Sequence, residues 1–157
     1  MFISHRKVEK RRYYDFLEVC YKTCSEGWIK EKIIAMNHLG NNVQEIENVN
    51  VVNVLFQLIQ GCSVREDALA SRQIYTLVKL FGLDSDEFLS NHLIHMFAVC
   101  GSLKQAYNVF SNVLSPGLST WNAIISANLY LKNNENVIEH YHQMRSLGVK
   151  FDGPVFV

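Results

Sequence analysis

The feature that most constrains the fold is a helix–turn–helix unit that recurs along the chain. Apolar residues recur at three- and four-residue steps, which is the spacing of one buried helical face, and no segment shows the alternation of a half-buried strand. The clear units are 52–86, 87–117 and 118–152, with lengths of 35, 31 and 35 residues counted from these bounds. Because each hairpin can bury its apolar face only against its neighbours, the pattern predicts an all-α fold, an α-solenoid of stacked hairpins.

Glycine and polar residues mark where the predicted helices end. Gly82 follows Phe81, the last residue of the second apolar stripe in unit 52–86, and glycine readily adopts the left-handed conformation just past a helix end. A weaker copy of the hairpin covers 13–51, with its turn predicted at 24–31. Polar turns inside the three clear units are predicted at 63–67, 100–102 and 132–135. The predicted buried positions are Val54, Leu55, Leu58, Ile59, Cys62, Ala68, Ser71, Ile74, Tyr75, Val78, Phe81, Leu89, Leu93, Ile94, Phe97, Leu103, Ala106, Val109, Phe110, Val113, Trp121, Ile124, Ile125, Leu129, Val137, Ile138, Tyr141 and Met144.

The composition fits an array of this kind. The 157 residues are 48% hydrophobic with only two prolines and eight glycines, which provides a core and leaves little disordered linker. Fifteen Lys and Arg balance fifteen Asp and Glu, so the formal net charge is zero. Charge alone should therefore not bind nucleic acid or an anionic membrane strongly. No apolar run is long enough for a transmembrane helix, so we expect no membrane partner.

The basic side chains are concentrated at the start of the sequence. Residues 1–12 carry five Lys and Arg against one acid, so this arm has a charge of +4 and the other 145 residues have −4. An Arg-rich arm with few acids is compatible with the remnant of an organelle-targeting sequence, although it is short and has no amphipathic Ser-rich stretch. The alternative, which the sequence favours, is a solvated tail.

No motif for catalysis, a cofactor or a metal is found in the sequence. His92 and His95 are three residues apart but have no third ligand near them in the sequence. Phosphate-binding glycine loops and nucleophile motifs are also absent, so we expect no enzyme, cofactor or metal site. The four cysteines contain no CxxC pair, and each is expected to be a buried thiol that packs as a small hydrophobic residue. They are Cys20, Cys24, Cys62 and Cys100.

Three segments carry a family resemblance: FLSNHLIHMFAVCGSLKQAYNVF at 88–110, STWNAIIS at 119–126 and MRSLGVKFD at 144–152. Together with the mixture of 35- and 31-residue units, they resemble the plant pentatricopeptide repeat proteins of the mixed-length subclass. A tetratricopeptide array would instead show a uniform period of about 34 residues. The resemblance implies a degenerate repeat at 13–51, a long repeat at 52–86, a short one at 87–117, a standard one at 118–152 and the start of a truncated repeat at 153–157.

The N-terminal copy, with EGWIKEKI at 26–33, resembles the repeat region of organellar RNA-editing factors that end in a cytidine-deaminase domain. A zinc deaminase needs a His-x-Glu motif and a Pro-Cys-x-x-Cys motif. None of the six histidines is followed two residues later by Glu, and there is no CxxC. We therefore expect that this chain does not deaminate by itself.

In the family that the chain resembles, the fifth and last residues of each repeat face one base. In the standard repeat these residues are Asn122 and Asp152, which is the family's pairing for a pyrimidine, with uracil preferred. An amide can donate and accept a hydrogen bond, and a carboxylate can accept from a ring N–H. The alternative for the asparagine is a helix-capping role near the start of a helix.

The other two repeats offer incomplete pairs. In the short repeat the fifth residue is Asn91, but the last is Gly117, which has no side chain, so we expect no base selectivity there. The long repeat offers Phe56 and Asp86. Phenylalanine can stack on a base but cannot hydrogen-bond its edge, so this repeat is expected to recognise shape only.

Two functions are compatible with the sequence. The first is a sequence-specific module for single-stranded RNA in an organelle, the mitochondrion rather than the plastid, which selects sites for editing or processing with a deaminase or other repeat proteins in trans. The second is a protein–protein scaffold, or a truncated relic that reads no RNA. Few repeats predict RNA binding in the weak micromolar range or worse. End-to-end self-association is also expected, because an array that ends within a repeat exposes an apolar face.

Overall fold

The fold consists of helices joined by short turns. The computed structural model describes residues 2–39 and 51–150, with side chains described for 13–36 and 51–150. These residues contain eight helices and no strand, which confirms the predicted all-α helical-repeat class. The helices are α1 (Phe2–Thr23), α2 (Gly27–Leu39), α3 (Val51–Arg65), α4 (Ala68–Leu80), α5 (Glu87–Val99), α6 (Leu103–Asn112), α7 (Leu118–Tyr130) and α8 (Asn134–Ser146).

The chain divides into two compact units, Met1–Leu58 and Ile59–Val157. In the first unit, α1 packs against α2, and the Lys32 side chain donates a hydrogen bond of 3.3 Å to the backbone carbonyl of Gln57. In the second unit, α5 packs against α6 and α7, and α7 packs against α8. The most extensive contact between helices joins α5 and α7, and these two helices carry the candidate site.

The apolar stripes predicted from the sequence form most of the core, with three clear exceptions. Leu89, Leu93, Ile94 and Phe97 of α5 are fully buried, as predicted. The prediction is wrong for Leu129 and Ile138, which are 45% and 62% exposed, and for Ala68, which is exposed at the first position of α4. At Leu129 and at Ile138, the residue just before it in the sequence is buried in the core instead. These residues are Asn128 and Val137.

Left-handed residues end five of the described helices. They are Glu66, Gly82, Gly101, Lys132 and Gly148, with φ angles of 53°, 68°, 82°, 60° and 76°. The residue after each one donates its N–H to a carbonyl five residues earlier, as Asn133 does to Asn128 at 2.8 Å. This bond satisfies a carbonyl that the end of the helix would otherwise leave unpaired. The predicted left-handed turn at Gly82 is confirmed.

Three predicted turns are shorter in the structure. The turn predicted at 132–135 comprises residues 131–133, because α8 begins at Asn134. The turn predicted at 63–67 comprises only Glu66 and Asp67, because α3 continues to Arg65. Near the end of α3, the side chains of Ser63 and Arg65 donate hydrogen bonds to the carbonyls of Ile59 and Gly61. The turn predicted at 24–31 is confined to residues 24–26, since α2 begins at Gly27.

The basic arm does not form a separate segment. Residues 2–12, for which the sequence favoured a solvated tail, are helical and continuous with the rest of α1. The segment contains no proline or glycine and is rich in Lys and Arg, which are good helix formers. No described helix is both long enough and apolar enough to cross a membrane.

Candidate nucleic-acid interface

Asn91 and Asn122 occupy equivalent positions on two neighbouring helices. Asn91 is the fifth residue of α5 and Asn122 is the fifth residue of α7. The two helices pack against each other more extensively than any other pair of described helices. The predicted base-contacting asparagines are therefore presented by adjacent helices in the same helical register.

Neither asparagine has a fixed hydrogen-bond partner in the described part of the chain. The Oδ1 atoms of Asn91 and Asn122 are both inaccessible to solvent, and no described donor reaches them. Neither residue caps the start of its helix, since the capping positions are Asp86 and Gly117. The last torsion of an asparagine side chain is broad and roughly two-fold. Without a hydrogen bond to hold it, each side-chain amide can turn to present either its oxygen or its NH₂ group.

A cleft of about 350 Å³ opens between α5 and α7 beside Asn122. We call it the α5–α7 cleft, and its lining residues are His95, Ala98, Asn122, Ala123, Ser126, Ala127 and Tyr130. The lining is largely apolar, with a few polar side chains, and the volume is near the lower end of the range of about 300–1,000 Å³ for ligand pockets. These properties suit a small planar group such as a nucleobase.

Of the residues that line this cleft, only Asn122 was predicted from the sequence, and the two aromatic members that were missed are His95 and Tyr130. Tyr130 is 56% exposed and offers an aromatic surface, while His95 lies one helical turn after Asn91 on α5. A signal for part of the cleft was present, because Asn122, Ser126 and Tyr130 follow each other at four-residue intervals and so share one face of α7. The contribution of α5 could not be found in this way, since it depends on how the two helices pack.

The N-terminal ends of α5 and α7 are joined by a carboxylate. Glu87 Oε1 accepts hydrogen bonds from the backbone N–H of Gly117 at 3.0 Å and from the hydroxyl of Thr120 at 2.9 Å. Gly117 immediately precedes α7, and Thr120 is fully buried. Glu87 thereby fixes the starts of the two helices next to each other.

Asp86 has a structural role that the sequence analysis did not assign. It is the N-cap of α5, and its Oδ1 accepts a hydrogen bond of 2.8 Å from the backbone N–H of Leu89. Phe56 lies on α3 in the first compact unit and is partly buried. Asp152 and the truncated repeat predicted at 153–157 lie outside the described residues.

The cysteines are structural thiols, with one partial exception. Burial is the main cause that raises the pKa of Cys20 to about 12 and that of Cys24 to about 11. Cys100 is only partly buried, contrary to the prediction, because it caps the end of α5 instead of lying inside a helix. Hydrogen bonds from the side chains of Cys62 and Ser71 lower the pKa of Cys100.

No metal site forms within the described ranges. Among the side chains of 13–36 and 51–150, no three His, Cys, Asp or Glu residues gather in a group that could hold a metal ion. The pKa of His92 is lowered by burial and, to a smaller extent, by His95.

The fold and the interface together define a class of protein. Successive hairpins that place equivalent side chains at the same register of their first helices are characteristic of helical-repeat proteins, whose neighbouring units form extended binding surfaces. The chain is such a helical-repeat protein. No family model matches it.

Comparison with curated proteins identifies the family. The chain is 34% identical over 94 residues to a chloroplastic pentatricopeptide repeat-containing protein of Arabidopsis thaliana, an alignment that covers 59% of this chain and 14% of the relative. It is 32% identical over 149 residues to a putative mitochondrial pentatricopeptide repeat-containing protein of the same plant, covering 92% of this chain and 23% of the relative. The chain belongs to the pentatricopeptide repeat family. It spans less than a quarter of the length of either relative.

Proposed function

We propose that this chain is a non-enzymatic module that binds single-stranded RNA, with bases received by Asn91 and by the α5–α7 cleft. The observation that carries the proposal is the pair of equivalent asparagines whose Oδ1 atoms have no partner among the described residues. Leaving a buried polar atom unpaired costs about 1–3 kcal/mol. The edge of an unstacked base can bond a side-chain amide that no described group holds, and repeat proteins of this kind read one base per helical repeat.

We propose a pyrimidine preference, with uracil first, at the repeat 118–152. Here the family resemblance pairs Asn122 with Asp152. The amide of Asn122 can bond a ring carbonyl or accept from the base edge, and a carboxylate can accept from the ring N–H of uracil. In the long repeat, Phe56 would stack on a base while Asp86 keeps its capping bond.

RNA binding by the chain alone should be weak. The chain has no net positive charge, so few phosphate contacts add to the base contacts. We propose that the units 13–51, 52–86, 87–117 and 118–152 are repeats of the mixed-length subclass and that further repeat proteins extend the binding surface. A deaminase acting in trans would make the module a site selector in RNA editing, and other partners would serve RNA processing.

We propose an organellar location, and within that the mitochondrion. The support is that the similar plant proteins carry the words chloroplastic and mitochondrial in their names. A fluorescent fusion of the complete protein in plant cells tests this proposal. Signal that coincides with mitochondria is expected, and signal confined to plastids or to the cytosol would contradict it.

The RNA proposal is tested by fluorescence anisotropy with short oligomers of uridine, adenosine and guanosine at low salt. The wild-type chain should bind the uridine oligomer most tightly. Asn122→Ala should weaken that binding by about 5- to 150-fold, which corresponds to about 1–3 kcal/mol for one base contact. Asp152→Ala should also reduce the preference for the uridine oligomer over the other two.

Asn108→Ala is the matched control for these substitutions. Asn108 is an exposed asparagine on α6, and its removal should leave RNA affinity unchanged. If the wild-type chain does not bind RNA, or binds all three oligomers with equal affinity, the RNA proposal is refuted. That result would favour the second candidate, a helical-repeat scaffold for protein partners. Two sequence features support this candidate: the net charge is zero, and only one repeat has a complete Asn–Asp pair.

A further inference from the structure

The short repeat 87–117 lacks a side chain at its last position, but the structure places a carboxylate there. An ideal Cβ built on Gly117 would lie 2.8 Å from Oε1 of Glu87, which is closer than real Cβ contacts. The backbone of Gly117 has a φ of −82°, so its conformation does not require glycine. Glu87 therefore occupies the space into which a side chain at position 117 would extend.

The carboxylate of Glu87 is held by one oxygen, and its other oxygen is available. Oε1 accepts the hydrogen bonds from Gly117 and Thr120, while no residue in the described ranges bonds Oε2. An ionised carboxylate has acceptor sites on both oxygens. Glu87 is also exposed and lies in the first turn of α5, where the helix dipole favours a negative charge.

Glu87 and Asn91 lie on the same face of α5. They are four residues apart, which places their side chains one above the other on consecutive turns. The side-chain amide of Asn91 has an Oδ1 atom that no described donor reaches. The short repeat thus presents an amide and a carboxylate next to each other, the same two groups that Asn122 and Asp152 supply in the standard repeat.

We propose that Glu87 replaces the missing last-position side chain and that Glu87 and Asn91 together select uracil at the short repeat. This inference rests on the proposed RNA-binding function. Oε2 of Glu87 accepts the N3–H of the base, and the NH₂ group of Asn91 donates to a ring carbonyl. Cytosine carries an unprotonated acceptor at N3, so it would face the carboxylate with a repulsive contact. The sequence alone predicted no selectivity at this repeat, because Gly117 has no side chain.

Glu87→Gln separates the recognition role from the structural one. The glutamine oxygen can still accept from Gly117 and Thr120, but the second group becomes an NH₂ donor that opposes N3–H of uracil and suits N3 of cytosine. The ratio of affinities for oligouridine and oligocytidine should fall by about tenfold, while the thermal unfolding midpoint stays near that of wild type. Glu135→Gln is the matched control, since Glu135 is an exposed acid in the first turn of α8.

A rescue variant tests the geometry itself. Glu87→Ala should lose uracil selectivity and also loosen the start of α7. Adding Gly117→Asp to Glu87→Ala restores a carboxylate in the space that the glutamate vacated, so the uridine-to-cytidine ratio should recover. Unchanged selectivity in Glu87→Gln, or no recovery in the double variant, would overturn the inference while the RNA-binding proposal stands. A wild-type chain that does not distinguish bases would overturn both.

Discussion

Tyr107 connects three helices through its hydroxyl group. The hydroxyl donates to Oδ1 of Asn128 at 2.9 Å and accepts from Nδ2 of Asn136 at 3.2 Å. Nε2 of His140 lies 2.8 Å from the same oxygen. Asn128 is fully buried and also donates to the carbonyl of Ile124 at 2.8 Å. This network explains why a polar residue occupies a core position of α7 where the apolar pattern predicted Leu129.

Tyr107→Phe should lower the free energy of unfolding by about 1–3 kcal/mol. The substitution keeps the ring but leaves Oδ1 of Asn128 buried without its donor. Urea denaturation followed by circular dichroism measures the change. The matched control is Tyr130→Phe, which removes an exposed hydroxyl and should change stability by less than about 0.5 kcal/mol. Equal stability of the two variants would show that the network contributes nothing.

Residue-level features were only partly predictable from the sequence. The fifth positions, Asn91 and Asn122, follow from the repeat pattern and the family resemblance. The contact of Glu87 with Gly117 does not, because it joins residues 30 positions apart through the packing of α5 on α7. The position of His95 in the cleft was also not predictable, because most of the residues that form the cleft with it belong to α7.

The starts and ends of the helices show a few recurring capping features. Asp67 and Asp86 cap the starts of α4 and α5, and each accepts a hydrogen bond from the backbone N–H three residues later. Helix ends use left-handed residues, usually glycine. The positions of these ends were largely predictable, because Gly82 and Gly101 are helix-stop signals in the sequence. Lys132 was not predictable as a left-handed residue, since its side chain disfavours that conformation and only the bond from Asn133 to Asn128 reveals it.

Asp86→Ala should destabilise the chain by about 0.5–2 kcal/mol, the usual cost of losing an N-cap. Asp86→Asn should be close to neutral, because asparagine caps a helix as well as aspartate does. Urea denaturation of both variants provides the measurement. Two variants that are equally destabilised would argue that the charge of Asp86, and not its capping bond, matters for stability.

At the scale of the whole molecule, the absence of net charge shapes the proposed function. Fifteen basic and fifteen acidic side chains cannot provide a strong general attraction to phosphate, so recognition must come from base contacts. In the proposed function, α5 and α7 present those contacts in equivalent registers. The repeat class was predictable from hydrophobic periodicity alone, whereas the cleft required the packed structure because its residues come from two helices.

The most direct test of the account is a proton–nitrogen NMR titration of the chain with a short oligouridine. The side-chain NH₂ signals of Asn91 and Asn122 should shift as RNA is added, together with backbone signals of α5 and α7. The side-chain signals of Asn108 on α6 and Asn134 on α8 should stay in place. Shifts confined to α6 and α8, or no shifts at RNA concentrations well above the expected micromolar range, would contradict the central claim that the α5–α7 cleft and Asn91 receive the bases.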